Sequence, residues 1–314
     1  MTIAKIRAFI LRHNLLKFLF FGNYFYALCA VIMSAESLIV LGFATADLHY
    51  LLILFMGVIV FYTHAYRALD KTDEASVFQN PFYLQRTLWY IRNHRLVRVQ
   101  QFLLAAIIFA AVIYYYWPIF CSGVIAIPEY LFMVLIALLA LAYVGYGSWN
   151  IRRFGLLKPM VIALLWMALV TLLPVMTSHW KERLPDHAYS TIIKLCLYNT
   201  IYILQLCILF DIKDYAVDAR SQLRTYVVWL GLKRTMRYVI VPLYILSVVL
   251  WYLLASDLHY TPIQILIGYI PIAALAWVIY ALRTPQPLLF YLFIVDGLML
   301  LKGITGIILV SIHG

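Results

Sequence analysis

Apolar stretches of roughly 18–22 residues return along the whole of this chain, and that length spans a hydrocarbon core of about 30 Å. The stretches are continuous, not alternating. A β-barrel, whose strands alternate lipid-facing and lumen-facing side chains, is thereby excluded. A soluble protein with one very large core is excluded by the same pattern and by composition. Hydrophobic residues make up 66% of the chain and charged residues 12%, against about 25% charged in an ordinary soluble domain. The expected fold is an all-α integral membrane protein, a bundle of about nine transmembrane helices forming one domain over residues 1–314. The expected spans are 18–44, 48–66, 99–117, 128–147, 157–175, 189–210, 238–255, 261–281 and 287–311, the first with a tilt or break near Glu36.

The start, MTIAKIRAFILRHNLLKFLF, is basic and amphipathic, and no small-residue cleavage site follows it. Residues 1–17 read as an interfacial helix leading into the first span. Cys29, Cys121, Cys196 and Cys207 all lie in or beside apolar runs, at spacings that match no metal set or disulfide framework. They read as packing residues.

Lysine and arginine set the orientation. One side collects Lys5, Arg7, Arg12, Lys17, Arg67, Lys71, Arg86, Arg92, Arg95, Arg98, Arg152, Arg153, Lys158, Lys213, Arg220, Arg224, Lys233, Arg234, Arg237 and Arg283. The other side holds Lys181 and Arg183. The split requires the N-terminus inside and the C-terminus outside. The net charge of +11 is therefore mostly a topology signal. It gives no reason to expect nucleic acid as a partner, whereas anionic membrane lipid is an expected contact. The expected location is a multi-pass position in a bacterial inner membrane.

Two inner-side cap segments carry most of the ionisable groups, 67–98 and 211–237. In the second, DIKDYAVDARSQLRT, Asp211, Asp214 and Asp218 stand at i, i+3 and i+7. On a helix continuing from the sixth span they fall within about 60° of arc, with Lys213, Arg220 and Arg224 on the opposite face. A solvated helix end also gathers charge, but with signs mixed at i,i+4. Segregated carboxylates suit a divalent cation, and hard oxygen ligands on one face suit Mg2+, which bridges carboxylates to substrate phosphates.

The stretch DIKDYAVDARSQLRTYVVWLG resembles the second aspartate motif of the UbiA-type intramembrane prenyltransferases. That motif runs D-x-x-D-x-x-x-D, then a basic segment and a Thr, matched here by Asp211, Asp214, Asp218, Arg224 and Thr225. YVGYGSWNIRRFGLLKPM is similar to the family's fourth-to-fifth connection through Tyr146, Arg152, Arg153 and Lys158. The resemblance implies two aspartate motifs from opposite halves of the bundle holding Mg2+ on an isoprenyl diphosphate. It implies catalytic roles for Asp211, Asp214 and Asp218, and diphosphate contacts from Arg67, Arg152, Arg153, Lys158 and Arg224. The implied reaction is transfer of the isoprenyl group to a lipophilic acceptor within the membrane.

The family's first motif, N-D-x-x-D-x-x-x-D, is degenerate here. FYTHAYRALDKTDEAS lacks the Asn and keeps acids at Asp70 and Glu74, with Asp73 beside them and Arg67 one turn upstream. Either Asp70 and Glu74 still ligate metal, or half the metal site is lost. The second case describes a non-catalytic prenyl-lipid-binding member of the same fold. A small-solute transporter is a third reading, without a convincing internal repeat to support it. Among polar residues inside the spans, His64 reads as a polar group at a helix end and Asn199 as interhelical glue. Lys194 and Lys302 are placed to snorkel, and Asp296 to pair with a neighbouring helix.

The orientation has a direct check. In a cysteine-free background, cysteines at Arg92 and Arg220 should react with an impermeant reagent from one side of the membrane. A cysteine at Arg183 should react from the other. Labelling of all three from one side would overturn the nine-span arrangement.

Overall fold

The structure, a computed structural model, describes residues 14–43, 47–70, 81–145, 151–180, 188–287 and 290–312. Every regular element among them is helical. In chain order these are α1 (Asn14–Phe21), α2 (Tyr24–Val40), α3 (Leu48–Asp70), α4 (Pro81–Arg92), α5 (His94–Cys121), α6 (Ile127–Val144) and α7 (Leu157–His179). They continue with α8 (Ala188–Asp211), α9 (Tyr215–Arg220), α10 (Tyr226–Leu230), α11 (Leu232–Asp257), α12 (Pro262–Ala281) and α13 (Phe290–Ser311). Eight helical stretches are long and apolar enough to cross a membrane: α3, α5, α6, α7, α8 with α9, α11, α12 and α13. The chain is thus built as a multi-pass membrane protein. α2, at 17 residues, is equally apolar but shorter.

The expected first span begins differently from its sequence reading. It breaks at Gly22 and Asn23, not at Glu36, which lies inside an unbroken α2. Asn23 adopts a left-handed conformation, φ 64°, which asparagine tolerates better than other side chains. The reversal is held by tertiary bonds. Asn23 Nδ2 donates to Thr63 Oγ1 at 2.9 Å on α3 and to the Tyr90 hydroxyl at 3.3 Å on α4, while that hydroxyl donates to the Phe21 carbonyl at 2.6 Å. Sequence period alone could not show this, because the apolar run is continuous across the break.

Proline shapes four of the long helices. π-turns cover Val112–Tyr116, Ala168–Leu172 and Met236–Ile240, and Pro118, Pro174 and Pro242 follow them. A proline lacks an N–H and its ring crowds the carbonyl four residues earlier. Those residues, Tyr114, Val170 and Tyr238, sit mid-way along the three π-turns, which widen the helix where the clash would fall. In α12, helix is interrupted at Tyr269, just before Pro271.

α2 is the central element, packed on α1, α3, α7 and α13. Two glycines let α13 approach it. A Cβ on Gly303 would stand 3.1 Å from the Met33 backbone nitrogen, and one on Gly306 would stand 2.4 Å from Glu36 Cγ. Glu36 in turn receives both bonds from Lys302 Nζ, each 2.8 Å. Lys302, with 2% of its side chain exposed, does not snorkel; it is locked inside the bundle against Glu36 and the Tyr198 ring. Lys194 pairs with Asp257 across α8 and α11. Asn199 donates to Thr171 on α7 at 2.8 Å, joining α8 to α7. α5 and α6 lie at the periphery: 6% of each apolar window is buried, against 56% in α7.

Removing one partner of a buried ion pair strands the other charge, at a cost of about 3–5 kcal/mol. Glu36→Ala should lower thermal stability in detergent by that amount. The double variant Glu36→Leu/Lys302→Met should regain most of it. Equal losses in both variants would show that packing, not charge, is what the pair supplies.

Candidate functional site

The acidic segment does not continue α8 as one regular helix. α8 ends at Asp211, a 3-10 turn covers Ile212–Asp214, and α9 begins at Tyr215. The tighter turn, about three residues per revolution, changes which side chains share a face. Asp211 and Asp218 are both buried, at 3% and 7% exposure, whereas Asp214 is half-buried. Lys213 is swung inward as well. It pairs with Asp214, and its ammonium sits 4.4 Å from the centre of the Phe210 ring. The expectation that Lys213 faces away from the acids is therefore corrected, while Arg220 and Arg224 are exposed as expected.

A second lysine enters from α7. Lys158 Nζ donates to Asp211 Oδ1 at 2.6 Å, so the acids are partly neutralised by groups distant in sequence. Lys158, Asp211, Asp214 and Lys213 all act electrostatically on Asp218. The loop before α7 is docked against this segment. A Cβ on Gly155 would stand 2.6 Å from the Arg224 carbonyl carbon, so only glycine permits the approach. Thr225 caps α10, accepting from the Val228 N–H at 3.4 Å, and is wholly buried.

Two carboxylate oxygens in this cluster, Asp211 Oδ2 and Asp218 Oδ2, are buried and accept no hydrogen bond from the described residues. Buried acceptors without donors are costly and are ordinarily filled by a cation, water or a donor-bearing ligand. Their chemistry, hard anionic oxygen, suits Mg2+. Among the described residues no three His, Cys, Asp or Glu side chains converge closely enough to hold a metal ion.

The other sequence-derived residues are placed unevenly. Arg67 and Asp70 lie on the last turn of α3 and Arg152 on the 3-10 turn Ile151–Arg153, where the backbone alone is described. Glu74, Asp73 and Tyr146 lie outside the described residues. Arg153 and His64 are exposed.

One group near this end reads in the sequence only as an inner-side charge. Arg86 on α4 is 9% exposed and stacks over the Tyr66 ring at 4.2 Å. Deeper in the bundle, the Tyr26 hydroxyl donates to Asp296 Oδ2 at 2.8 Å, and the Tyr26 ring stacks on Tyr62 at 5.1 Å with 8° between planes. Trp166 Nε1 donates to the Tyr62 hydroxyl at 2.8 Å. An aromatic wall thus lies beneath the charged end. Asp296 was visible as a carboxylate in an apolar run. Its partner was one of twenty-five tyrosines, with no local signal to separate it.

No protein-family profile, curated protein or solved structure matches the chain.

Gly155→Val should drive the loop off the 223–225 backbone and destabilise the fold by about 1–3 kcal/mol, read as a lower thermal midpoint. Gly57→Ala, in open space on α3, is the control and should change little.

Proposed function

We propose that the chain is a divergent intramembrane prenyltransferase of the UbiA type, transferring an isoprenyl group from its diphosphate to a lipophilic acceptor. The observation that carries this reading is the pair of buried carboxylate oxygens on Asp211 and Asp218 that accept no hydrogen bond from the described residues, beside Lys158 and next to an aromatic interior. Asp211 and Asp218 would offer their Oδ2 atoms to Mg2+, Asp214 standing in the same segment, and Asp70 and Glu74 of the first motif would supply the further ligands that the resemblance implies. When bound there, Mg2+ stabilises the charge that develops on the leaving pyrophosphate. Lys158 fixes the orientation of Asp211 through Oδ1 and leaves Oδ2 to the ligand. The cationic groups Arg67, Arg152, Arg153 and Arg224 supply further contacts to the diphosphate. Tyr26, Tyr62 and Trp166 line the route of the isoprenoid and exclude water from the reactive carbon.

The same proposal includes the membrane arrangement. α2 makes a ninth crossing, with the N-terminus inside and the C-terminus outside, in a bacterial inner membrane. The concentration of Lys and Arg at the end that carries α4 and α9 supports it.

One observation favours a second reading, a non-catalytic binder of prenyl lipid. Asp211 and Asp214 are each already held by a lysine.

Purified protein with labelled isoprenyl diphosphates and Mg2+ separates the two. Transfer requires diphosphate release that falls at least about 100-fold in Asp211→Asn and Asp218→Asn. No release with any acceptor, together with unaltered diphosphate binding in Asp218→Asn, would overturn it. Isoprenoid lipid that co-purifies without turnover would establish the second reading.

A further inference from the structure

Asp296 stands inside an apolar span at 7% exposure, and a carboxylate at that depth is costly to keep. The helix is reshaped to present it. A π-turn, Phe290–Val295, ends at its doorstep, and the Asp296 N–H donates to the Tyr291 carbonyl five residues back at 3.1 Å. The extra residue in that turn rotates Asp296 onto α2, where the Tyr26 hydroxyl meets it. A tyrosine hydroxyl needs only a neutral acceptor, so this bond alone does not account for a carboxylate.

Its place relative to the charged cluster is given through Cys207. That thiol lies one helical turn before Asp211 on α8 and is in electrostatic contact with Asp211, Lys158 and Asp296. Asp296 therefore lies in the same part of the bundle as the Asp211–Lys158 pair. A chain anchored by its diphosphate at that pair would bring its first carbon into this region. Tyr26, Tyr62 and Trp166 offer aromatic faces there, the surface that best tolerates an allylic cation. The titratable groups facing Asp296 are Tyr26 and Cys29 on α2, Tyr66 on α3, Cys207 on α8 and Lys213 on the 3-10 turn. Lys213 is already paired with Asp214, and among the described residues no cation forms an ion pair with Asp296.

We propose that Asp296 is the proton acceptor of the transfer reaction, positioned by Tyr26; this rests on the prenyl-transfer reading. The C1–O bond of the isoprenyl diphosphate breaks, and pyrophosphate leaves with the electron pair. The acceptor's nucleophilic atom gives a pair to C1, and the proton it sheds passes to the Asp296 carboxylate. The acceptor is therefore of the class that loses a proton on alkylation, through a hydroxyl or a ring C–H.

Asp296→Asn keeps the shape and an acceptor for Tyr26, and removes the base. With labelled isoprenyl diphosphate and Mg2+, diphosphate affinity should stay within about twofold of wild type. Transfer product should fall about 100-fold, within the range for loss of a general base. Isoprenyl alcohol from capture by water should rise in its place, and Asp296→Glu should recover part of the transfer. Wild-type transfer by Asp296→Asn would overturn the proposal. So would a parallel loss of binding and transfer with no alcohol and no rescue by Glu, the mark of a structural role. If the wild-type protein itself releases no diphosphate, the prenyl-transfer reading fails first, and this proposal with it.

Discussion

No water is present in a hydrocarbon core to satisfy a charge, so every buried ionic group must find its partner within the bundle. Glu36 and Lys302 meet that requirement for the whole centre of this protein. Their two 2.8 Å bonds tie α2 to α13, and α2 is the element on which α1, α3, α7 and α13 all pack. The glycine at 306 is part of the same arrangement, since any side chain there would strike Glu36. With α13 so fixed against α2, Asp296, less than two turns before Lys302, is held beside Tyr26, and the charged end inherits its geometry from the centre.

The prolines act on the same framework from outside. Each of Pro118, Pro174 and Pro242 removes a helical donor, and each is preceded by a π-turn at the place where its ring would clash. The π-turn before Asp296 is followed by no such proline; Pro285 and Pro287 lie upstream of it and Gly297 after it. A widened turn without a steric cause is better explained by what it presents, here a carboxylate turned to the interior.

Eight of the expected spans, all but the first, were legible in the sequence because hydrophobic length is a property of single segments. The run expected over 189–210 is helix over Ala188–Asp211, and that over 261–281 is helix over Pro262–Ala281. The acids at 211, 214 and 218 were legible as a cluster, but not their faces. The face prediction assumed 3.6 residues per turn, and the chain takes a 3-10 turn at Ile212–Asp214. Lys158, legible as a cation of the connection before α7, could not be seen to pair with Asp211, because that contact spans 53 residues. The break at Asn23 was invisible for the same reason: its cause is Thr63 and Tyr90, not its neighbours.

If the chain is the prenyltransferase proposed above, the lysines bear on how its degenerate first motif is compatible with diphosphate chemistry. Asp211, Asp214 and Asp218 lie in one short segment, and Lys158 and Lys213 pair with two of them. On the proposed reading, that segment alone would attract a divalent cation only weakly, yet it would not repel a diphosphate as three bare carboxylates would. On α3 and α4, Arg67 follows Tyr66 in sequence, and Arg86 is buried over the Tyr66 ring. Guanidinium groups bind phosphate oxygens in pairs and need no metal to do so. On the proposed prenyl-transfer reading, a first motif that lacks its asparagine and carries Arg67 one turn before Asp70 would exchange part of its metal-borne charge for side-chain charge. The demand at the leaving group, positive charge held in a dry site, is the same in either form.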